Sequence, residues 1–96
     1  MPSYLIAVIH EVTDPDAYQR YTQRVPELVA RHGGDYVVRT TYVELVEGPT
    51  TPHRILVLRF PDRAAVRAMF ADPDYAAIAD LRREASTGTI LVVDGA

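Results

Sequence analysis

A chain of 96 residues, 48% hydrophobic and 24% charged, carries enough apolar surface for one folded domain over residues 1–96 and is too short for a second core. It has no cysteine, which excludes disulfides, thiolate metal sites and a cysteine nucleophile, and fits a reducing cytoplasm. The net charge is −3 and all ten basic residues are arginines, spread singly apart from Arg82 and Arg83, so no basic stripe is present to bind nucleic acid.

Tyr4 to Val12 is rich in β-branched residues and ends at Thr13-Asp14-Pro15, which predicts a buried strand running into a helix. Its core, Leu5 to Ile9, is far too short to cross a bilayer and no charged leader pattern precedes it, so a cytoplasmic protein without a membrane partner is expected. Asp14 caps the helix, Pro15 suits its first position and Asp16 faces the positive end of its dipole. The helix is expected to reach about His32, with Tyr18, Tyr21, Val25, Leu28 and Val29 on one apolar stripe, a kink at Pro26 and a stop at Gly33-Gly34.

Asp35 to Glu47 reads as a long strand, broken by Gly48 to His53, and Arg54 to Phe60 as its hairpin partner. Pro61-Asp62 opens a second helix carrying Ala65, Val66, Met69 and Phe70 on one face, and Asp72-Pro73-Asp74 restarts it. Tyr75, Ile78, Leu81 and Ala85 extend that stripe, Gly88 is expected to end the helix, and Thr89 to Val93 supplies the last strand. The order βαββαβ predicts an α+β, ferredoxin-like domain with an antiparallel four-stranded sheet.

In such a domain both helices cover one face of the sheet, and the other is expected to be polar if it meets water. Here strict alternation makes both faces apolar: Leu5, Ala7 and Ile9 oppose Tyr4, Ile6 and Val8, while Leu56, Leu58 and Phe60 oppose Ile55 and Val57. A second copy stacked sheet to sheet is the economical cover, so a homodimer is expected, with a small ligand sharing the enclosed space.

The segments Asp14-Pro15-Asp16-Ala17-Tyr18-Gln19-Arg20-Tyr21, Gly33-Gly34, Glu47-Gly48, Phe60-Pro61, and Pro73-Asp74-Tyr75 followed by Leu81-Arg82-Arg83 occur in an order and spacing that resembles the family called domain of unknown function 1330. Asp72 departs from the Ser-Pro-Glu-Tyr pattern of many members, but either residue caps a helix. The resemblance covers nearly the whole chain and implies a dimeric α/β barrel. Superfamily relatives include cofactor-independent monooxygenases, small isomerases and polyketide-processing proteins, whose ligands sit between sheet and helices; fold alone does not fix function.

Polar side chains on the less apolar sheet face are the natural candidates for chemistry: by alternation, His10, Tyr42, Glu44 and Arg59. His10 is the candidate general acid–base, or else a strand-end or intersubunit hydrogen-bonding group. Tyr42 and Glu44 either orient a substrate or form ordinary cross-strand pairs, and Arg59 either binds a carboxylate or enolate or pairs with Glu44 of a second copy. Tyr18 and Tyr21 either reach a ligand from the helix or fill the core.

No ligand spacing for a metal and no glycine-rich phosphate loop are present, so no metal and no cofactor are expected. The function expected is a small-molecule-binding homodimer, with catalysis by proton transfer, oxidation or cyclisation of an aromatic or polyketide-like substrate; the expected partner is a small aromatic or acidic ligand. The competing reading is a non-catalytic binding or accessory dimer with no ligand-sized void.

Overall fold

The computed structural model describes residues 1–96 and has the order β1 (Ser3–Val12), α1 (Pro15–Arg31), β2 (Asp35–Thr40), β3 (Arg54–Phe60), α2 (Arg63–Ala71), α3 (Pro73–Ala85) and β4 (Ser86–Asp94). The strands form one antiparallel sheet in the order β2-β3-β1-β4, with the helices packed on one face, as the ferredoxin-like pattern requires. No helix is long and apolar enough to cross a membrane.

Local signals place the helices. Asp14 accepts from the Ala17 amide at 3.2 Å and Asp62 from the Ala65 amide at 2.9 Å, each satisfying an orphan donor of a first turn. Asp72 closes α2 and caps α3, accepting from the Asp74 amide at 2.9 Å. α1 continues unbroken through Pro26 and ends where Gly33, at φ 80°, turns the chain so that the Gly34 amide reaches the Val29 carbonyl at 2.8 Å.

Two expected boundaries move. β2 ends at Thr40 rather than Glu47, because β3 pairs back only to Ile55 opposite Thr40 and the Thr40 hydroxyl takes the Tyr42 amide at 2.9 Å. Thr41 to His53 therefore has no partner strand and no regular structure. At the other end, β4 starts at Ser86, directly after α3, and Gly88 lies inside the strand. Ser86 does the terminating: its hydroxyl donates to the Arg82 carbonyl at 2.7 Å, while the Thr13 amide donates to the Ala85 carbonyl at 2.7 Å.

The core lies between sheet and helices. Leu5, Ala7 and Ile9 of β1, Leu58 and Phe60 of β3, Val29 of α1, Val66 and Met69 of α2, and Tyr75, Ile78 and Ala79 of α3 are all buried. The opposite face carries Tyr4, Ile6 and Val8, paired with Arg59, Val57 and Ile55 on one side and Val93, Leu91 and Thr89 on the other. Leu91 and Val93 are exposed there.

Two β-bulges interrupt the alternation. His10 is the unpaired residue between Ile9, opposite Gly88, and Glu11, opposite Thr87. Val37 is skipped in the same way between Tyr36, opposite Leu58, and Val38, opposite Val57. An extra residue shifts every later side chain by one face, so Tyr36 and Arg39, three apart, both point toward the helices.

α1 and α3 are tied together at one end. Asp72 lies 2.8 Å from Nε2 of His32 and 3.1 Å from the Arg31 guanidinium, which also reaches Asp74 at 2.8 Å. The hydrogen bond from His32, then the Asp74 amide, hold the Asp72 carboxyl below its ordinary value. A carboxyl depressed on folding stabilises the fold at pH above its unfolded pKa, and that contribution disappears as pH falls through the folded value. Thermal melts between about pH 5 and about pH 2 are expected to show a steeper loss of stability for the native chain than for Asp72→Asn, whose curve is flatter across that window.

Candidate ligand cavity

Between the sheet and the helices lies a cavity of about 270 Å³, lined by 18 residues of which 14 are hydrophobic. The other four are Thr22, Arg39, Arg54 and Arg82, so every charged group on the wall is an arginine. The arginines come from three elements. Arg39 reaches the wall because of the bulge at Val37, Arg54 pairs with Ile9 and so shares its face, and Arg82 stands one turn before the end of α3.

Each guanidinium lies over a tyrosine ring: Arg39 over Tyr36 at 4.5 Å from the centroid, Arg54 over Tyr18 at 5.6 Å and Arg82 over Tyr21 at 6.0 Å. Such a cation–ring contact contributes about 0.5–1 kcal/mol at an exposed site and more when water is excluded. None of the three makes an ion pair; the ion pairs of the chain involve Arg31, His32, Arg63 and Arg83. Nε of Arg82 is shielded from water and has no hydrogen-bond partner, a state that costs about 1–3 kcal/mol for a neutral donor and more for a charged one.

The aromatic wall is ordered as well. Tyr21 and Tyr75 meet edge to face at 6.3 Å and their hydroxyls share a buried hydrogen bond of 3.0 Å, while Phe70 stands edge to face with Tyr75 at 5.2 Å. Burial, reinforced by Tyr75, raises the Tyr21 phenol above its ordinary value. Burial also raises Tyr36, against the pull of Arg39 and Arg54, so both guanidiniums act on that one hydroxyl. At neutral pH these phenols are hydrogen-bonding, uncharged groups.

Of the candidate residues read from the sequence, Tyr18 and Tyr21, on the apolar stripe of α1, line this cavity. His10, Tyr42, Glu44 and Arg59 are exposed and do not line it. His10 sits at the apex of the β1 bulge, Tyr42 and Glu44 lie beyond the end of β2, and Arg59 lies on the open face opposite Tyr4 and beside Pro61 and Met1. Sequence reasoning missed Arg39, Arg54 and Arg82. Arg54 shares the parity of Leu56 and Leu58, and Arg39 the face opposite Tyr42 and Glu44, so both lie on the side away from the open face where polar candidates were sought; Arg82 has no local signal that separates it from the exposed Arg83.

Comparison with known proteins settles the kinship. The description "Domain of unknown function (DUF1330)" matches residues 2–96. The chain belongs to that family. Among curated proteins none matches the chain. Among solved structures, a protein of unknown function from Rhodopseudomonas palustris is similar at 19% identity and TM-score 0.81, covering 99% of this chain and 82% of its own. SnoaB, a cofactor-independent oxygenase from Streptomyces nogalater, is similar at 20% identity and TM-score 0.63, over 99% of this chain and 91% of its own. An ethyl tert-butyl ether d (ethd) family protein from Bacillus halodurans is similar at 16% identity and TM-score 0.71, over the full length of both. At these identities the likeness establishes the fold shared with the DUF1330 chain and nothing finer.

Proposed function

We propose that this DUF1330 protein is a homodimer that binds a small aromatic or polyketide-like molecule between its sheet and helices and promotes its proton transfer, oxidation or cyclisation without a cofactor. The observation that carries the reading is the cavity itself: its volume lies close to the lower end of ligand sites, about 300–1,000 Å³, and few polar groups interrupt an apolar wall. Guanidiniums beside a bound phenol or enol favour its ionised form, and an ionised aromatic is the species that reacts with molecular oxygen or closes a ring. The fold shared with a cofactor-independent oxygenase supports the same reading.

The dimer is proposed on separate grounds. The open sheet face presents Ile6, Val8, Ile55, Val57, Leu91 and Val93 with no element covering it, a contiguous apolar patch of the kind that marks an interface. A second reading, a binding dimer without catalysis, is favoured by one feature: no carboxylate or imidazole lines the cavity to act as a base at neutral pH.

Equilibrium sedimentation and ligand screening test the proposal together. A mass near twice 10.7 kDa, reduced to the single value by Ile6→Glu, and saturable binding of hydroxylated aromatics are expected. Binding with oxygen uptake or a product of altered mass supports the enzyme; binding without product supports the carrier. A monomer that binds no aromatic sinks both.

A further inference from the structure

We infer that the cavity is selective for a mono- or bicyclic aromatic anion, a carboxylate above all, seated on the guanidiniums of Arg39, Arg54 and Arg82 with its ring among Tyr18, Tyr21 and Phe70. The inference rests on the reading of the cavity as a ligand site and names the class of ligand it takes.

Four observations lead to it. The wall holds three cations and no acid, although the chain as a whole carries a net charge of −3, so the local positive field is not inherited from a basic composition. The arginines descend from β2, β3 and α3, three elements distant in sequence, onto one void. Arg31, Arg63 and Arg83 pair with carboxylates; these three do not, and unlike the other unpaired arginines, which stand exposed on the surface, they line an apolar cavity. Finally, Arg82 keeps a buried Nε without an acceptor, and a planar carboxylate is the group that accepts from Nε and a terminal nitrogen of one guanidinium at once.

The tyrosines refine the class. Each guanidinium carbon lies within 6.0 Å of a tyrosine ring centroid, so a ligand whose charge is carried on an aromatic ring meets cation and ring surface side by side. Edge-to-face rings at Tyr21, Tyr75 and Phe70 present apolar and aromatic surface to the rest of the ligand.

Isothermal titration calorimetry of the intact protein with naphthoate and naphthamide isolates the charge, since the two share one ring system. Naphthoate is expected to bind at least about tenfold more tightly, and added salt is expected to weaken it alone. Arg82→Met is expected to lower naphthoate affinity by about tenfold or more while leaving naphthamide unchanged; Arg82→Lys, which keeps the charge but loses the fork, falls between. Arg83→Met, on the exposed neighbour that pairs with Asp80, serves as control and changes neither. Should Arg82→Met fail to fold, Arg82→Lys alone decides: an unchanged naphthoate affinity overturns the inference. Equal affinity for both probes overturns the anion selectivity and leaves the cavity reading standing, whereas no binding of either probe overturns both.

Discussion

Phe60→Ala is expected to lose about 3–5 kcal/mol of folding free energy, because the ring is only 1% exposed and its removal leaves a cavity in the core. Phe60 ends β3 on the helix side, against the turn that closes α1. A methyl added to Gly34 would stand 2.7 Å from the ring's Cε1 and 2.8 Å from Val29, so the backbone of that turn is already pressed onto the aromatic face. For a domain of this length the total stability is about 5–14 kcal/mol, and the substitution removes a large share of it. The urea midpoint is expected to fall by more than about 1 M with little change in slope. A shift below about 0.3 M would show that the ring is not the anchor between α1 and β3.

Gly88→Ala has the second large effect, for the opposite reason. A Cβ there would collide with the Val8 carbonyl oxygen and come within 3.1 Å of the Ile9 Cα, both backbone atoms of the central strand β1. Neither can rotate away, so β4 must separate from β1 or the bulge at His10 must rebuild. A cost of about 1–3 kcal/mol or more follows. Thr87→Ala, one residue earlier and exposed, is expected to stay within about 0.5 kcal/mol in the same melts. Equal behaviour of the two variants would mean that the close approach at Gly88 carries no strain when filled.

These two positions also mark how far the sequence could be read. Element order, the aspartate caps at Asp14, Asp62 and Asp72, and the apolar stripe through Tyr21 and Val29 were legible because each depends on residues within one helical turn. The position of Gly88 inside β4 was not, because the Ser86 hydroxyl ends α3 two residues upstream of where a glycine stop is expected. The candidate site suffered more. Face assignment by strict alternation holds from Ser3 to Ile9 and then fails at the bulges, which are properties of strand pairing that no local pattern announces. His10 was given a face that its unpaired position does not provide, while Arg39 stood on the helix-facing side, outside a search confined to polar groups of the open face. Tyr18 and Tyr21 could be placed on the stripe that faces the cavity because a helix repeats its geometry without reference to a partner.

The unpaired span from Thr41 to His53 has a consequence for how this scaffold diversifies. Arg39 and Arg54 stand at its two ends, on the edge of the void, while the span itself contributes nothing to the core. Lengthening such a connection is thermodynamically cheap, about 0.6 kcal/mol for each doubling, whereas the Ala85–Ser86 junction has no slack to accept a single insertion. Changes within the span can therefore alter the rim of the void beside Arg39 and Arg54 without touching the buried core. A library that varies the length and sequence of this one segment is the natural starting point for altering what the cavity admits.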